Sequence, residues 1–138
     1  MIIADTGFFL ALANARDRQH AVAKRALAAL VEPLVTTWPV MTETCHLLAN
    51  RMNAHAAETF VASAARGGFE IFALLPEHLP RIVELMRKYR NLPMDLADAS
   101  LVILAEHLGS GRILSTDARD FGAYRWKERR PFQNLMAR

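Results

Sequence analysis

The fold is decided by the first seven residues, Met1-Ile2-Ile3-Ala4-Asp5-Thr6-Gly7. Their first four residues are apolar without polar alternation, which is typical of a strand buried on both faces of a parallel sheet. Asp5 stands where this strand ends, and a carboxylate in that place is costly unless something pairs with it. In open α/β sheets, ligands bind at the carboxyl ends of the strands, where the strand order reverses. We therefore expect Asp5 to mark a functional edge.

The composition is that of one globular domain spanning residues 1–138, with 52% hydrophobic and 22% charged residues. Cys45 is the single cysteine, so no intrachain disulfide can form, and a reducing compartment is the default expectation. The first residues lack the basic segment of a secretory signal, and no apolar run is long enough to span a bilayer. We predict a cytoplasmic protein without membrane contact.

Short apolar segments alternate with helical patterns along the chain. The strands predicted after the first one are Leu34–Thr37, Phe69–Leu74, Arg112–Ser115 and a short one within Pro131–Leu135. The segments between them have mostly helical periodicity. This alternation predicts an α/β fold, a three-layer α/β/α sandwich around a mainly parallel sheet of four to five short strands.

Two further local predictions concern later segments. The segment from Pro76 to Tyr89 has helical periodicity, and its predicted inner side consists of Leu79, Ile82, Val83 and Met86. The tripeptide Asp120-Phe121-Gly122 has the composition of a turn.

Three further acids fall where this topology brings them to Asp5. Asp117 follows the fourth strand, and the carboxyl ends of parallel strands meet at one edge. Glu43 lies near the start of the helix after the second strand and faces the same edge. Asp98 lies in the first turn of the helix that leads into the fourth strand, so the preceding loop must deliver it there. We expect the four carboxylates to share one cleft.

Carboxylates crowded into a partly dry cleft raise one another's pKa, and a hard divalent cation relieves this repulsion. Mg²⁺ and Mn²⁺ prefer oxygen ligands, accept one or two direct carboxylates and keep bound waters. Such a cation activates water and neutralises charge on a phosphodiester. One cysteine and scattered histidines form no zinc pattern. The acids therefore predict a Mg²⁺ or Mn²⁺ site.

The charge balance points to a polyanionic substrate. If four acids gather in one cleft, ten acidic residues remain against 17 lysines and arginines. An acidic pit within a basic surface suits a polyanion that is bound and then cut. The candidate backbone-binding residues cluster around Tyr124 and Trp126, whose rings could stack a base; they are Arg125, Lys127, Arg129 and Arg130. A solvated edge explains this cluster equally well.

Each acid also has a purely structural interpretation. Asp5 could cap the helix that follows it, and Glu43 could complement a helix dipole. Asp95 and Asp98 have capping-box spacing, from which we predict Asp95 as the cap and Asp98 as the ligand. Asp117 and Asp120 could be turn residues. No single acid is specific evidence for a site. It is their placement together that indicates one.

The sequence resembles PIN-domain ribonucleases, in particular the small VapC-type toxins of bacterial toxin–antitoxin pairs. The matching segments occur in the family's order over almost the whole chain. They are Ile3-Ala4-Asp5-Thr6-Gly7, Thr42-Glu43, Met94-Asp95-Leu96-Ala97-Asp98-Ala99-Ser100-Leu101 and Ser115-Thr116-Asp117-Ala118-Arg119-Asp120-Phe121.

This resemblance implies a PIN-like fold and a metal-dependent endoribonuclease that hydrolyses RNA phosphodiester bonds. The implied catalytic acids are Asp5, Glu43, Asp98 and Asp117. Of these, Asp5, Asp98 and Asp117 would bind Mg²⁺ or Mn²⁺, and the supporting residues would be Thr6, Thr116 and Asp120. A cognate antitoxin and a homodimer are implied in the same way. The alternative is a PIN-like module that binds RNA or protein without cutting.

Three other classes share fragments of these motifs. Asp5-Thr6-Gly7 is also the triplet of aspartic proteases, but those enzymes are rich in β-structure, whereas a helical pattern follows here. A haloacid-dehalogenase-like phosphatase would have a second aspartate where Gly7 stands. Glu43 and His46 have the spacing of di-iron bundles, but one copy is insufficient and the strands argue against a bundle. We therefore interpret His46 as a helix residue without a ligand role.

Overall fold

The computed structural model describes residues 1–136. Its strands are β1 (Ile2–Ala4), β2 (Leu34–Thr37), β3 (Glu70–Phe72), β4 (Arg112–Leu114), β5 (Arg125–Trp126), β6 (Arg130–Pro131) and β7 (Gln133–Asn134). Five of them form one parallel sheet in the order β3-β2-β1-β4-β7, and β5 pairs with β6 in an antiparallel hairpin. The strand order reverses between β1 and β4, so the carboxyl ends of these two strands flank the switch point.

Helices flank this sheet. They are α1 (Thr6–Ala13), α2 (His20–Ala28), α3 (Trp38–Arg51), α4 (Ala54–Ala65), α5 (Leu79–Lys88), α6 (Leu96–Leu108) and α7 (Ala118–Ala123), and a 3₁₀ turn at Pro76–His78 precedes α5. α6 packs against β1, β2 and α5, whereas α3 packs against α1 and α4. The predicted parallel α/β architecture is confirmed. Within residues 1–136, no helix combines the length and the apolar character that a bilayer crossing requires.

The centre of the core is α6, which is buried without interruption from Ala99 to Ala105. A capping box formed by Asp95 and Asp98 begins this helix, and Gly109 ends it in the left-handed conformation (φ 68°). Burying each large aliphatic side chain of such a helix stabilises the fold by about 1.5–3 kcal/mol. The helix that carries Asp98 is therefore anchored firmly in the core.

The inner side of α5 differs from the prediction. Ile82 and Leu85 are buried, whereas Leu79, Val83 and Met86 are 52%, 43% and 39% exposed. Arg81 explains this orientation, because its guanidinium donates two hydrogen bonds to Glu106 of α6, at 3.1 and 2.8 Å. That pair turns the face containing residues 81, 82 and 85 toward α6. The prediction was wrong at Leu79, Val83 and Met86.

The segment after β4 also departs from the prediction. Asp120-Phe121-Gly122 lies inside α7 and is not a turn, because the Asp117 carboxylate accepts the Asp120 N–H at 3.0 Å and starts a helix. The β5–β6 hairpin was not predicted. Its turn places Lys127 and Glu128 at positive φ (46° and 70°), where neither residue type gives a turn signal in the sequence.

Candidate active site

Six acidic side chains line one cleft at the switch point of the sheet. The cleft has a volume of about 390 Å³, and its acidic residues are Asp5, Glu43, Asp95, Asp98, Asp117 and Asp120. Asp5 follows β1, Asp117 follows β4, and Glu43 lies in the second turn of α3, directly after β2. Leu92 and Pro93 also line the cleft, so the loop before α6 does deliver Asp98 to this edge. All four predicted catalytic acids therefore lie together.

Asp5 is almost fully buried, and both of its carboxylate oxygens accept hydrogen bonds. Oδ1 accepts the Phe8 N–H at 2.8 Å and caps α1, and Oδ2 accepts the hydroxyl of Ser115. Burial raises the pKa of Asp5 to about 6, and the charges of Asp117 and Glu43 act in the same direction. The capping interpretation is thus correct for Asp5, but it does not account for this unfavourable environment.

Ser115 links two of the acids and was not singled out in the sequence analysis. Its hydroxyl donates to Asp5 and accepts the Asp117 N–H at 2.9 Å. Asn134 of β7 holds the Ser115 backbone, because its side chain accepts the Ser115 N–H at 3.2 Å and donates to the Ser115 carbonyl at 2.9 Å. The serine at a strand end is visible in the sequence, but its partner at position 5 lies 110 residues away.

Asp98 is held from two sides. Asp95 caps α6 by accepting the Asp98 N–H at 2.8 Å, as predicted, and Asp98 Oδ2 lies 3.4 Å from the Asp95 N–H. The buried Tyr124 hydroxyl donates to Asp98 Oδ2 at 3.2 Å. Burial, followed by the charge of Asp95, raises the pKa of Asp98 to about 7. Burial likewise raises the pKa of the Tyr124 hydroxyl, which therefore stays a donor.

The other acids of the cleft differ in their partners. Asp117 caps α7, and the Asp120 carboxylate is buried with Arg119 Nε at 3.3 Å. Burial raises the pKa of Asp120, and its contact with Asp117 adds to this effect. Glu43 is half-buried beyond the first turn of α3, so the dipole interpretation does not apply to it. Within residues 1–136, no hydrogen bond or ion pair engages its carboxylate.

Thr6, Thr116 and Gly7 line the floor beside Asp5. The Thr6 hydroxyl is buried, and it has no hydrogen-bond partner among the described residues. A Cβ on Gly7 would overlap the Thr116 hydroxyl, so only glycine lets the first turn of α1 approach Thr116 this closely. The Asp-Thr-Gly sequence thus produces a buried acid, an unpartnered hydroxyl and room for a second threonine.

The donors of the cleft fit a hard cation that keeps part of its water. In residues 1–136, no three acidic, histidine or cysteine side chains converge closely enough to enclose an ion by themselves. Mg²⁺ characteristically accepts one or two carboxylates and retains several waters, so a looser arrangement of acids suits it. The Thr6 hydroxyl and the Glu43 carboxylate are oxygen donors without partners here. Direct binding of a metal by Asp5, Asp98 and Asp117 stays a prediction.

Apart from Arg125, which follows Tyr124, the basic cluster predicted near the C-terminus lies away from the acids. Trp126 packs on Gly111, which precedes β4, and the Lys127 N–H donates to Glu106 near the end of α6 at 2.6 Å. The turn of the hairpin therefore lies toward the amino ends of the strands, opposite the cleft. Base stacking on Tyr124 or Trp126 is wrong, because both rings are buried. RNA binding by Arg125, Lys127, Arg129 and Arg130 stays a prediction.

The chain matches known proteins over nearly its whole length. The PIN domain profile matches residues 2–127. Ribonuclease VapC26 of Mycobacterium tuberculosis is 27% identical over 124 residues, which cover 90% of this chain and 92% of that protein. The crystal structure of Mycobacterium tuberculosis VapC20, described as a sarcin-ricin loop cleaving toxin, is also 27% identical, with a TM-score of 0.84 over 95% of this chain and all of that one. These matches confirm the resemblance inferred from the sequence, and the chain belongs to the PIN-domain family.

Proposed function

We propose that this protein is a metal-dependent endoribonuclease that hydrolyses RNA phosphodiester bonds, and that it is the toxin of a toxin–antitoxin pair. The single observation that carries the proposal is the cleft in which six acids surround the switch point. The relatives support the same conclusion, because one is a ribonuclease and the other a toxin that cleaves the sarcin-ricin loop.

The acidic cleft favours cation binding on energetic grounds. Without a cation, burial raises the pKa values of Asp5 and Asp98 from 3.8 to about 6 and about 7, so ionising them costs more than ionising a solvated carboxyl group. A ligand that stabilises the ionised carboxylates is therefore favoured by the same interactions. In our proposal Asp5, Asp98 and Asp117 hold Mg²⁺ or Mn²⁺, and Glu43 accepts hydrogen bonds from water. When bound, the cation lowers the pKa of a water and offsets charge on the phosphate.

The surrounding residues keep these acids in position. Ser115 fixes the separation between Asp5 and the backbone of Asp117, and Tyr124 restrains the carboxylate of Asp98. Thr6 and Thr116 supply hydroxyls on the floor, and Asp120 supports Asp117 by donating its N–H. Such restraint favours catalysis, because charges that are already oriented need little reorganisation in the transition state.

The biological setting follows from the family and is also part of the proposal. An RNA substrate and a cognate antitoxin are the partners that we infer, with the cytoplasm as the compartment. We also infer a homodimer, which native mass spectrometry of the purified chain would test.

The decisive experiment treats total RNA with the purified protein in Mg²⁺, Mn²⁺ or EDTA and maps the cut ends. We expect discrete cuts with either metal and none with EDTA. Asp98→Asn should not cut, although its amide oxygen can still accept the hydrogen bond from Tyr124. Glu84→Gln, which removes an exposed carboxylate from α5, is the matched control and should cut like the parent.

Two results would contradict the proposal. If the parent binds RNA tightly but leaves it intact in both metals, the protein is a PIN-like binding module and not a nuclease. If Asp98→Asn cuts as fast as the parent, hydrolysis does not depend on this cleft.

A further inference from the structure

A second pocket, rich in arginine, adjoins the acidic cleft. It has a volume of about 490 Å³, and Gly7, Leu10 and Thr116 line both cavities. Its charged lining consists of Arg16, Arg18 and Arg51, with Asp17 between the first two. We refer to these three arginines as the arginine rim. The rim is therefore continuous with the floor of the cleft, next to Thr116.

The backbone from which the three arginine side chains extend is ordered. Arg16 and Arg18 lie in the loop between α1 and α2, where Asn14 Oδ1 accepts the Arg16 N–H at 3.0 Å. The Asp17 carboxylate accepts the Gln19 N–H at 2.8 Å, which orders the same loop. Arg51 is the last residue of α3. The three side chains thus start from ordered backbone and reach into solvent as exposed groups.

The charge of the rim is not neutralised within the molecule. Among residues 1–136, no carboxylate lies within ion-pair distance of Arg16, Arg18 or Arg51. Arg81 and Arg112, by contrast, are paired with Glu106 and Glu32. Position at the end of a helix accounts for Arg51 alone. The local excess of positive charge therefore remains available to an external anion.

An RNA strand that enters the acidic cleft meets repulsion from its carboxylates. Cations beside the cleft offset this repulsion, and a planar guanidinium can bind two phosphate oxygens at once. We propose that the arginine rim binds the backbone phosphates of single-stranded RNA next to the bond that is cut. This inference rests on the proposed ribonuclease function. It identifies the surface beside the cleft that holds the RNA strand.

The salt dependence of RNA binding tests the proposal. Affinity for a fluorescein-labelled single-stranded RNA is measured in EDTA between about 50 and 200 mM salt, where each phosphate contact contributes roughly 0.7 to the logarithmic slope. The triple variant Arg16→Gln/Arg18→Gln/Arg51→Gln should reduce the slope by about 2 and weaken binding at least about tenfold at the lower salt. Replacing the same three residues by lysine should restore the slope, because the charges return.

Two further triple variants with the same loss of charge complete the design. Lys24→Gln/Arg25→Gln/Arg66→Gln removes exposed charges that line neither the cleft nor the rim, and it should leave the slope unchanged. Lys127→Gln/Arg129→Gln/Arg130→Gln removes three of the four positive charges of the basic cluster in the hairpin. If the hairpin variant flattens the slope and the rim variant does not, the phosphates are bound at the other end of the molecule, and the proposal is overturned.

Cleavage separates this inference from the proposed function. With Mg²⁺ or Mn²⁺, the glutamine variant of the rim should have a raised KM and a kcat close to that of the parent, as expected for lost ground-state binding. A parent that binds RNA without cutting it contradicts the nuclease function, whereas the slope measurement still tests the rim. Unchanged RNA affinity in the rim variant, with cleavage intact, would refute the rim as an RNA site.

Discussion

The two ends of the parallel sheet place carboxylates in opposite electrostatic environments. At the carboxyl end, the pKa values of Asp5 and Asp98 are raised to about 6 and about 7, mainly by burial. At the amino end, Glu32 accepts hydrogen bonds from Arg112 and from the N-terminal amine, which lower its pKa to about 2. The amino end therefore pairs its charges, whereas the other end concentrates charges of one sign. Strongly perturbed carboxyl groups of this kind are typical of functional sites.

The largest difference should appear in catalysis. Asp117→Asn keeps an oxygen that can cap α7 but removes a charge from the cleft. Since a bound cation supplies several kcal/mol of charge stabilisation and each 1.4 kcal/mol is about tenfold in rate, we expect cleavage to fall roughly a hundredfold or more. Glu32→Gln is the matched change at the amino end and should leave the rate intact. Initial rates on one RNA in excess Mn²⁺ measure both, and equal losses would remove the functional distinction between the two ends.

Bound metal should stabilise the protein only through the acids at the carboxyl end of the sheet. A cation that binds the native state alone adds about 2.7 kcal/mol at a hundredfold excess over Kd. Asp98→Asn should lose most of that gain, yet in EDTA it should melt no lower than the parent, because it relieves like-charge repulsion with Asp95. Thermal melts with EDTA and with excess Mn²⁺ measure this, and Glu70→Gln on β3 is the control. A loss of stability in Asp98→Asn that is the same with and without metal would favour a purely structural role for Asp98.

Glycines at the two ends provide a third contrast. At the amino end, a Cβ on Gly111 would overlap the buried Trp126 ring, and overpacking of this kind costs about 1–3 kcal/mol. At the carboxyl end, a Cβ on Gly7 would lie 1.9 Å from the Thr116 hydroxyl oxygen and 3.2 Å from the Thr116 Cβ, so the Thr116 side chain, which lines the cleft, would have to shift. Gly111→Ala should therefore lower the free energy of unfolding with little effect on kcat. Gly7→Ala should lower kcat with little effect on the free energy of unfolding. Urea unfolding together with single-turnover cleavage distinguishes the two, and identical behaviour would contradict the assignment.

The sequence predicted the carboxyl end better than the amino end, for a physical reason. Strand ends and helix starts are local signals, so the positions of Asp5, Asp98 and Asp117 followed from periodicity and parallel topology. Pairing between distant residues has no local signal, which is why Ser115 with Asp5 and Tyr124 with Asp98 were not anticipated. The hairpin was missed on the same grounds, since its turn relies on non-glycine residues at positive φ.

The most direct comparison of the two ends lies in how stability depends on pH without metal. For Asp5 the folded pKa of about 6 exceeds its ordinary value of 3.8, so the folded state binds a proton more readily than the unfolded chain. That contribution to stability is complete below pH 3.8 and is lost as the pH rises through about 6. Asp98 extends the loss to about pH 7. For Glu32 the sign is opposite: its contribution is complete above pH 4.5 and is lost as the pH falls toward about 2.

Stability in EDTA should therefore decline on both sides of a maximum near pH 4 to 5, with different residues responsible for each side. Asp5→Asn should flatten the decline at higher pH and leave the other side unchanged, whereas Glu32→Gln should flatten the decline at lower pH. Since Glu32 lies near the surface, its effect should be the smaller one and should shrink further in high salt. Urea unfolding from pH 3 to pH 8 measures both sides. If Asp5→Asn changes the low-pH side, or if neither variant changes its own side, the opposite charge environments inferred for the two ends of the sheet do not govern its stability.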